Sequence, residues 1–209
     1  KVILFIIIVI IIIGSFIGIY NSSNNEESQP TYNNLPLTTV QVLWRFPTDT
    51  PEKAIGISDY VFVAKINKIL RTEYKNPIEV ETGLFSKEIV TDPYTVYEIN
   101  VIENIKGNLK DTEPIEFMQY GGINEDEKSY TFIKNSGLLN VGEYYILLVD
   151  VFNDEGDIET SDPNRIISLG SDYTDDENSI ISKYKEAYKN EIIPEEETFK
   201  KSSKYDMDI

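Results

Sequence analysis

An unbroken apolar run opens the chain over residues 2–13, and no charge appears from Val2 to Tyr20. A helix of about 20 apolar residues crosses a hydrocarbon core of roughly 30 Å. Residues 1–20 therefore read as a transmembrane segment. Lys1 lies at its start, and the first charges beyond it are Glu26 and Glu27. The positive-inside rule then keeps the N-terminus cytoplasmic and exports the rest. A cleaved signal carries an apolar core of about 7–15 residues and an A-x-A-like site. Here the core is longer and its exit, Gly14-Ser15-Phe16-Ile17-Gly18-Ile19-Tyr20, lacks alanine. An uncleaved signal anchor is the favoured reading; cleavage is the alternative and would release a secreted domain.

Residues 21–49 read as a polar stalk and docking segment. Residues 21–30 are polar without periodicity and cannot bury enough surface to offset ordering entropy. Residues 35–46 hold Val40, Val42, Leu43, Trp44 and Phe46, and suit either a first strand or a flap docked on the domain. Thr50 as N-cap, Pro51 at the first helical position and Glu52 predict a short helix stopping near Gly56 to Ser58.

Residues 60–70 form the strongest strand pattern. Tyr60, Phe62, Ala64 and Ile66 point one way, and Val61 and Val63 the other, so both faces expect burial. Asn76-Pro77, Gly83 and Asp92-Pro93 are turn signals, which makes residues 71–92 a long excursion or hairpin with a weak strand at 78–81. Thr95, Tyr97, Ile99 and Val101 alternate with Glu98 and Asn100, predicting a half-buried strand over 94–105 and a turn at Lys106-Gly107-Asn108. Further strands are expected at 114–120, 130–133, 144–152, 158–161 and 166–169, with a hairpin turn over 153–157. The stretch 144–152 is apolar on both faces and belongs at the centre of a sheet. Ile180, Ile181, Tyr184, Ala187 and Tyr188 share a face at helical spacing and predict an amphipathic helix over 175–190. From Pro194 onward the tail is charged and expected to fray.

This organisation predicts a mostly β chain with flanking helices (α+β): a small antiparallel barrel over 50–170 and a C-terminal helical segment over 171–193. The charged tail is residues 194–209. Closing the strands into a barrel removes exposed edges.

Composition then narrows the chemistry. The 209 residues include neither cysteine nor histidine. Disulfide scaffolds, thiolate zinc sites, cysteine nucleophiles, His-based triads and His metal ligands are excluded. Carboxylates and hydroxyls remain. The 36 acids and 19 bases give a net charge of -17, a poor match for nucleic acid or anionic lipid headgroups.

Individual constellations add little. Setting Gly156 at the glycine position of a calcium loop puts Val151 at its first ligand, so 153–157 reads as a plain turn. Asp172, Asp175, Asp176 and Glu177 crowd a helix start, where acids are ordinary. Glu98 is explained by a solvated face, and Ser58, Ser129, Ser136 and Ser168 lack the Gly-x-Ser-x-Gly context of a hydrolase elbow. Tyr94, Tyr97, Tyr120, Tyr130, Tyr144 and Tyr145 are read as sheet packing. No residue is assigned as catalytic, cofactor-binding or metal-binding.

Three stretches carry a resemblance. Residues 58–66, Ser-Asp-Tyr-Val-Phe-Val-Ala-Lys-Ile, look like the first barrel strand of netrin-like, TIMP-like domains. Residues 94–101 followed by Ile105-Lys106-Gly107 resemble the next strand with its Lys-Gly turn. Residues 139–148 resemble the later strand that opens on Val-Gly-x-x-Tyr. Together they span roughly residues 50–165, and the same organisation occurs in uncharacterised exported proteins of Bacillus- and Clostridium-like bacteria. The resemblance implies an OB-type β-barrel and says almost nothing about activity. The cysteine-dependent zinc chelation of animal TIMPs does not carry over. The expected function is a membrane-anchored extracytoplasmic binding or interaction module. It is held in the lipid bilayer through residues 1–20 and faces an unknown protein or extracellular ligand. An inhibitor of an exported protease, acting through a loop such as 121–129, and a carboxylate-dependent extracellular hydrolase are the alternatives.

Overall fold

The computed structural model describes residues 35–83, 86–173, 179–195 and 201–207. The expected transmembrane segment lies outside them. Among the described residues, no helix is long and apolar enough to cross a membrane. The elements are β1 (Leu37–Val40), α1 (Pro51–Gly56), β2 (Tyr60–Gly83), β3 (Ser86–Lys106), β4 (Ile115–Tyr120), β5 (Gly122–Ile123), β6 (Tyr130–Ile133), β7 (Tyr144–Val151), β8 (Ile158–Thr160), β9 (Ile166–Gly170) and α2 (Ser179–Lys189). Among the described residues the fold is mostly β with two α-helices and one short 3-10 turn at Pro163–Arg165.

The strand pairings run in a cycle. β2 pairs with β3, β3 with β4, β4 with β8, β8 with β7, and β7 returns to β2. Only the β4–β8 pairing is parallel in this cycle. β9 joins the remaining stretch of β7, from Tyr144 to Leu147. A second, three-stranded sheet sets β1 parallel to β6 and β6 against β5.

The two-sided burial expected of β2 has a specific cause. Tyr60, Phe62, Ala64 and Ile66 join Tyr97, Phe117 and Leu147 on one face. Val61 and Val63 join Ile146 and Leu148 on the other, which α1 and α2 cover with Ala54, Ile55, Ile181, Tyr184 and Ala187. α1 follows its predicted signals: the Thr50 side chain accepts from the Lys53 N–H, Pro51 opens the helix and Gly56 ends it. Gly56 lies so close to Ile192 that a side chain there would collide with the Ile192 carbonyl, so the residues after α2 pack directly on α1.

Several expectations change. Asn76-Pro77 and Asp92-Pro93 are not turns. They sit inside the β2–β3 ladder, which extends the hairpin into an arm ending at Gly83 and Ser86. The register steps from Lys75↔Asp92 to Ile78↔Val90, so Asn76 and Pro77 form a bulge, with Asn76 at φ 53°. A bulge tolerates a proline that has no N–H for the ladder. β3 is not half-buried at its centre: Tyr94, Thr95 and Val96 are all enclosed, because Leu70, Tyr120, Phe152 and Met118 cover the face opposite the main core. Of the predicted face of α2, Ile181, Tyr184 and Ala187 are buried while Ile180 and Tyr188 stay largely exposed. The expected start of that helix, residues 175–178, lies outside the described residues. Only Leu37–Val40 of the first candidate segment is strand; Val42, Leu43 and Trp44 remain exposed.

The expectation of a frayed tail fails for residues 201–207. The Tyr60 hydroxyl donates to Asp206 Oδ2 at 2.8 Å and accepts from the Ser203 N–H at 2.9 Å. The Ser203 hydroxyl and the Lys204 N–H both donate to the Gly156 carbonyl. Tyr205 packs against the main core. Local composition marked this segment as solvated; partners contributed from β2 and from the β7–β8 turn outweigh it.

Candidate functional site

Three elements remote in sequence meet at the base of the arm. β2 supplies Arg71, Glu73 and Lys75, β4 supplies Glu116 and Met118, and the turn between β7 and β8 supplies Asn153, Glu155 and Asp157. Lys204 from the C-terminal segment closes the fourth side. They enclose a cleft of about 250 Å³.

Its charges alternate in sign. Arg71 grips Glu116 with both terminal nitrogens, at 3.0 and 2.7 Å, and holds Glu73 at 2.9 Å through Nε. Lys75 Nζ meets the other oxygen of Glu73 at 2.8 Å and lies 5.1 Å from the centre of the Phe152 ring. Lys204 pairs with Asp157. Burial pushes the Glu73 carboxyl up, but hydrogen bonds from Lys75 and Arg71 outweigh it and leave the group below its ordinary range. Asp157 behaves the same way, with Lys204 and Asn153 outweighing burial. Arg71 is raised by its hydrogen bonds to Glu116 first and to Glu73 after it, against burial. Glu73, Asp157, Arg71 and Lys204 are therefore held charged at neutral pH, and the cleft offers both donors and acceptors. Three bases against four acids leave it close to neutral.

A neighbouring acid behaves differently. Glu159 on β8 is pushed up to about 7, chiefly by burial and secondarily by the Asp150 charge. The Ser161 hydroxyl donates to it at 2.9 Å, and Arg165 and Lys75 partly offset the rise.

The residues weighed in the sequence have structural partners. In the 153–157 turn, the Asn153 side chain accepts from the Asp157 N–H and donates to its carboxylate, so the loop is tied within itself and to Lys204. Asp172 is described, while Asp175, Asp176 and Glu177 lie outside the described residues. Among the described residues, no cluster of three potential ligands gathers. Glu98 pairs with Lys68 at 3.2 Å. Tyr94, Tyr97 and Tyr145 are buried; Tyr120, Tyr130 and Tyr144 are half-buried. The loop suggested for protease inhibition is a short hairpin between β5 and β6. The Asn124 side chain donates to Ser129 Oγ at 2.8 Å and accepts from Thr131 Oγ1 at 2.9 Å.

Sequence reasoning did not single out Arg71, Glu73, Lys75 and Lys204. One signal was available: opposite charges at every second residue of a strand share a face. Nothing local announced that Glu116, Asp157 and Lys204 would meet them.

No protein-family model matches the sequence, and no curated protein matches it.

Proposed function

We propose that the protein is a membrane-anchored, extracytoplasmic binding module on an OB-type, netrin-like β-barrel, with a polar, uncharged ligand seated in the cleft at the base of the arm. The observation that carries the reading is the convergence of arm, β4 and the β7–β8 turn on one charge-balanced cleft. OB-type barrels seat oligosaccharides and oligonucleotides on the corresponding strand face, between the loops after their first and fourth strands. Counting β2, β3, β4, β7 and β8 as the five barrel strands, the cyclic pairing order supports that type. The arm is then the first of those loops and the β7–β8 turn the second. The net charge of -17 disfavours an oligonucleotide. Alternating donors and acceptors suit the hydroxyls of an oligosaccharide. No catalytic step enters the reading.

Two experiments test it. A glycan array probed with the full chain in mild detergent is expected to retain particular saccharides. Arg71→Glu is expected to weaken them by about tenfold or more, the scale of a lost charged hydrogen bond. An array with no retained glycan, or one indifferent to Arg71→Glu, removes the ligand reading. Fractionation of the native host tests the anchor: full-length protein in the membrane fraction, digestible from outside, is expected. A soluble form beginning near residues 20–26 overturns it.

A second reading, inhibition of an exported protease, draws support from the tightly bonded 124–129 hairpin.

A further inference from the structure

Among the described residues both edges of the arm lack a neighbouring strand, since β2 pairs with β7 only from Tyr60 to Lys65; the β3 edge, outside the cleft just described, is the one bordered by a groove. β3 is paired with β4 from Thr95 to Ile99. Towards the arm tip, the last backbone bonds on that edge run from the Gly121 N–H to the Pro93 carbonyl at 2.8 Å and from the Thr95 N–H to the Gly121 carbonyl at 3.0 Å. Gly121 and Gly122, at φ 109° and 152°, then turn the chain out of line and into β5. Among the described residues, Ser86 to Asp92 are therefore paired on one side only, by β2. A strand residue turns its N–H and C=O to the same edge, and successive residues alternate. With Pro93 and Thr95 directed towards β4, Thr91 and Ile89 direct theirs to the open side.

A groove of about 380 Å³ runs along this edge, between it, β1 and the turn at Asn124 to Asp126. Val40, Val90, Pro93 and Tyr120 give it apolar walls. Ile89 is 67% exposed. Every charged residue of the lining is an acid: Glu88, Asp92, Glu125 and Asp126. Asp92 accepts from Asn76 and Tyr120, and Glu125 from the Thr91 hydroxyl, but none of the four has an ion-pair partner among the described residues. The adjacent Lys87 is committed to Glu79 across the arm. Tyr74, raised first by burial, is raised further by Glu127, Glu125 and Asp126, so the turn's negative field reaches the arm.

Charge selects the occupant. A second copy would bring the same four carboxylates to the same edge, in a chain of net charge -17. The chain's own residues 1–34 contain a single base, Lys1, against the acids Glu26 and Glu27. We propose that the open edge of β3 receives an extended, basic segment of another protein as an added strand, with its Lys or Arg side chains against Glu88, Asp92, Glu125 and Asp126. Main-chain bonds to an exposed edge supply affinity in such pairing, and the side-chain environment supplies specificity. Edges of this kind are otherwise blunted by lysine, proline or cover; here Pro93 marks only the inner end, and Lys87, near the tip, is held by Glu79.

The test is fluorescence anisotropy with the full chain in mild detergent. The probe is a labelled nine-residue peptide alternating lysine and valine. The controls are its glutamate counterpart and a lysine–valine peptide methylated on alternate backbone nitrogens. The lysine peptide is expected to bind and the glutamate peptide not to. The methylated peptide and the double variant Glu125→Lys/Asp126→Lys are each expected to weaken binding at least tenfold. Both substitutions lie on an exposed turn, and the methylated peptide leaves the protein untouched, so a folding defect cannot imitate the result. Absence of binding by the lysine peptide overturns the proposal. So does equal binding of the methylated peptide, which would reduce the effect to adsorption on a negative surface. Equal binding by the double variant overturns it as well.

Discussion

Replacing Glu191 by alanine is expected to lower the stability of the folded chain by about 3 kcal/mol, the scale of stripping a carboxylate partner from a buried charge. Lys106 is the group that loses a carboxylate. Only 2% of its side chain is exposed, and its ammonium is held at 2.7 Å by Glu191 Oε2 and at 2.7 Å by the Ile55 carbonyl. Glu191 itself is 18% exposed and can turn to water if Lys106 goes. The pair is therefore asymmetric. Lys106→Met leaves the aliphatic body of the side chain in place, removes the buried charge and strands the Ile55 carbonyl, at roughly 1–3 kcal/mol. The double variant Lys106→Met/Glu191→Ala is expected to lie near Lys106→Met alone. Urea unfolding of the four proteins decides it; a Glu191→Ala loss no greater than that of Lys106→Met sinks the asymmetry. The pair also fastens the residues after α2 to the end of α1 and the start of the Lys106-Gly107 turn, so the loss should appear as earlier exposure of Ile181 and Tyr184.

The second large effect is one of pH. Glu159 has an ordinary value of 4.5 and is pushed up to about 7 in the fold, mainly by burial on β8. Between those values the folded chain keeps a proton that the unfolded chain releases. Stability from this group is therefore fully present below about 4.5, falls as pH rises through the window, and levels off above about 7. The displacement corresponds to about 3 kcal/mol. Glu159→Gln, which keeps the acceptor for the Ser161 hydroxyl, is expected to be more stable than the parent at about pH 8 by up to that amount, with the difference closing towards about pH 5. Comparing the two proteins isolates this group from Glu73 and Asp157, whose lowered values act in the opposite sense at lower pH. A stability difference that stays constant between about pH 5 and pH 8 would remove Glu159 as the source.

Where the chain's pattern was two-fold and uninterrupted, it announced the element correctly. Residues 60–66 and 144–151 alternate apolar side chains on both faces, and both became central strands. The Thr50-Pro51 start and the Gly56 end of α1 were legible for the same local reason, since caps act within a turn. Proline misled where it sat in a ladder. Pro77 lies in a bulge and Pro93 at the point where the outer edge of β3 leaves its last partner, Gly121, so neither interrupts the arm. The half-buried reading of Tyr94 to Val96 failed because their cover comes from Phe152 and Leu70, far away along the chain. The cleft was partly legible, as the Arg71, Glu73, Lys75 alternation, and partly not, since Lys204 was read as part of a solvated tail.

By itself the sequence determined the class of the protein: strand-rich, strongly acidic, without thiol or imidazole chemistry, and with an apolar stretch at its start long enough to span a bilayer. These follow from periodicity and side-chain type, which are local properties. Only the tertiary structure decided that β7 returns to β2, that the tail is anchored on Tyr60 and Gly156, that Glu159 sits where its charge is costly, and that β3 carries an open edge beside four carboxylates that lack an ion-pair partner among the described residues. Each depends on groups brought together from distant parts of the chain. Burial, ion pairing and strand edges are properties of that assembly, and no single stretch of residues contains them.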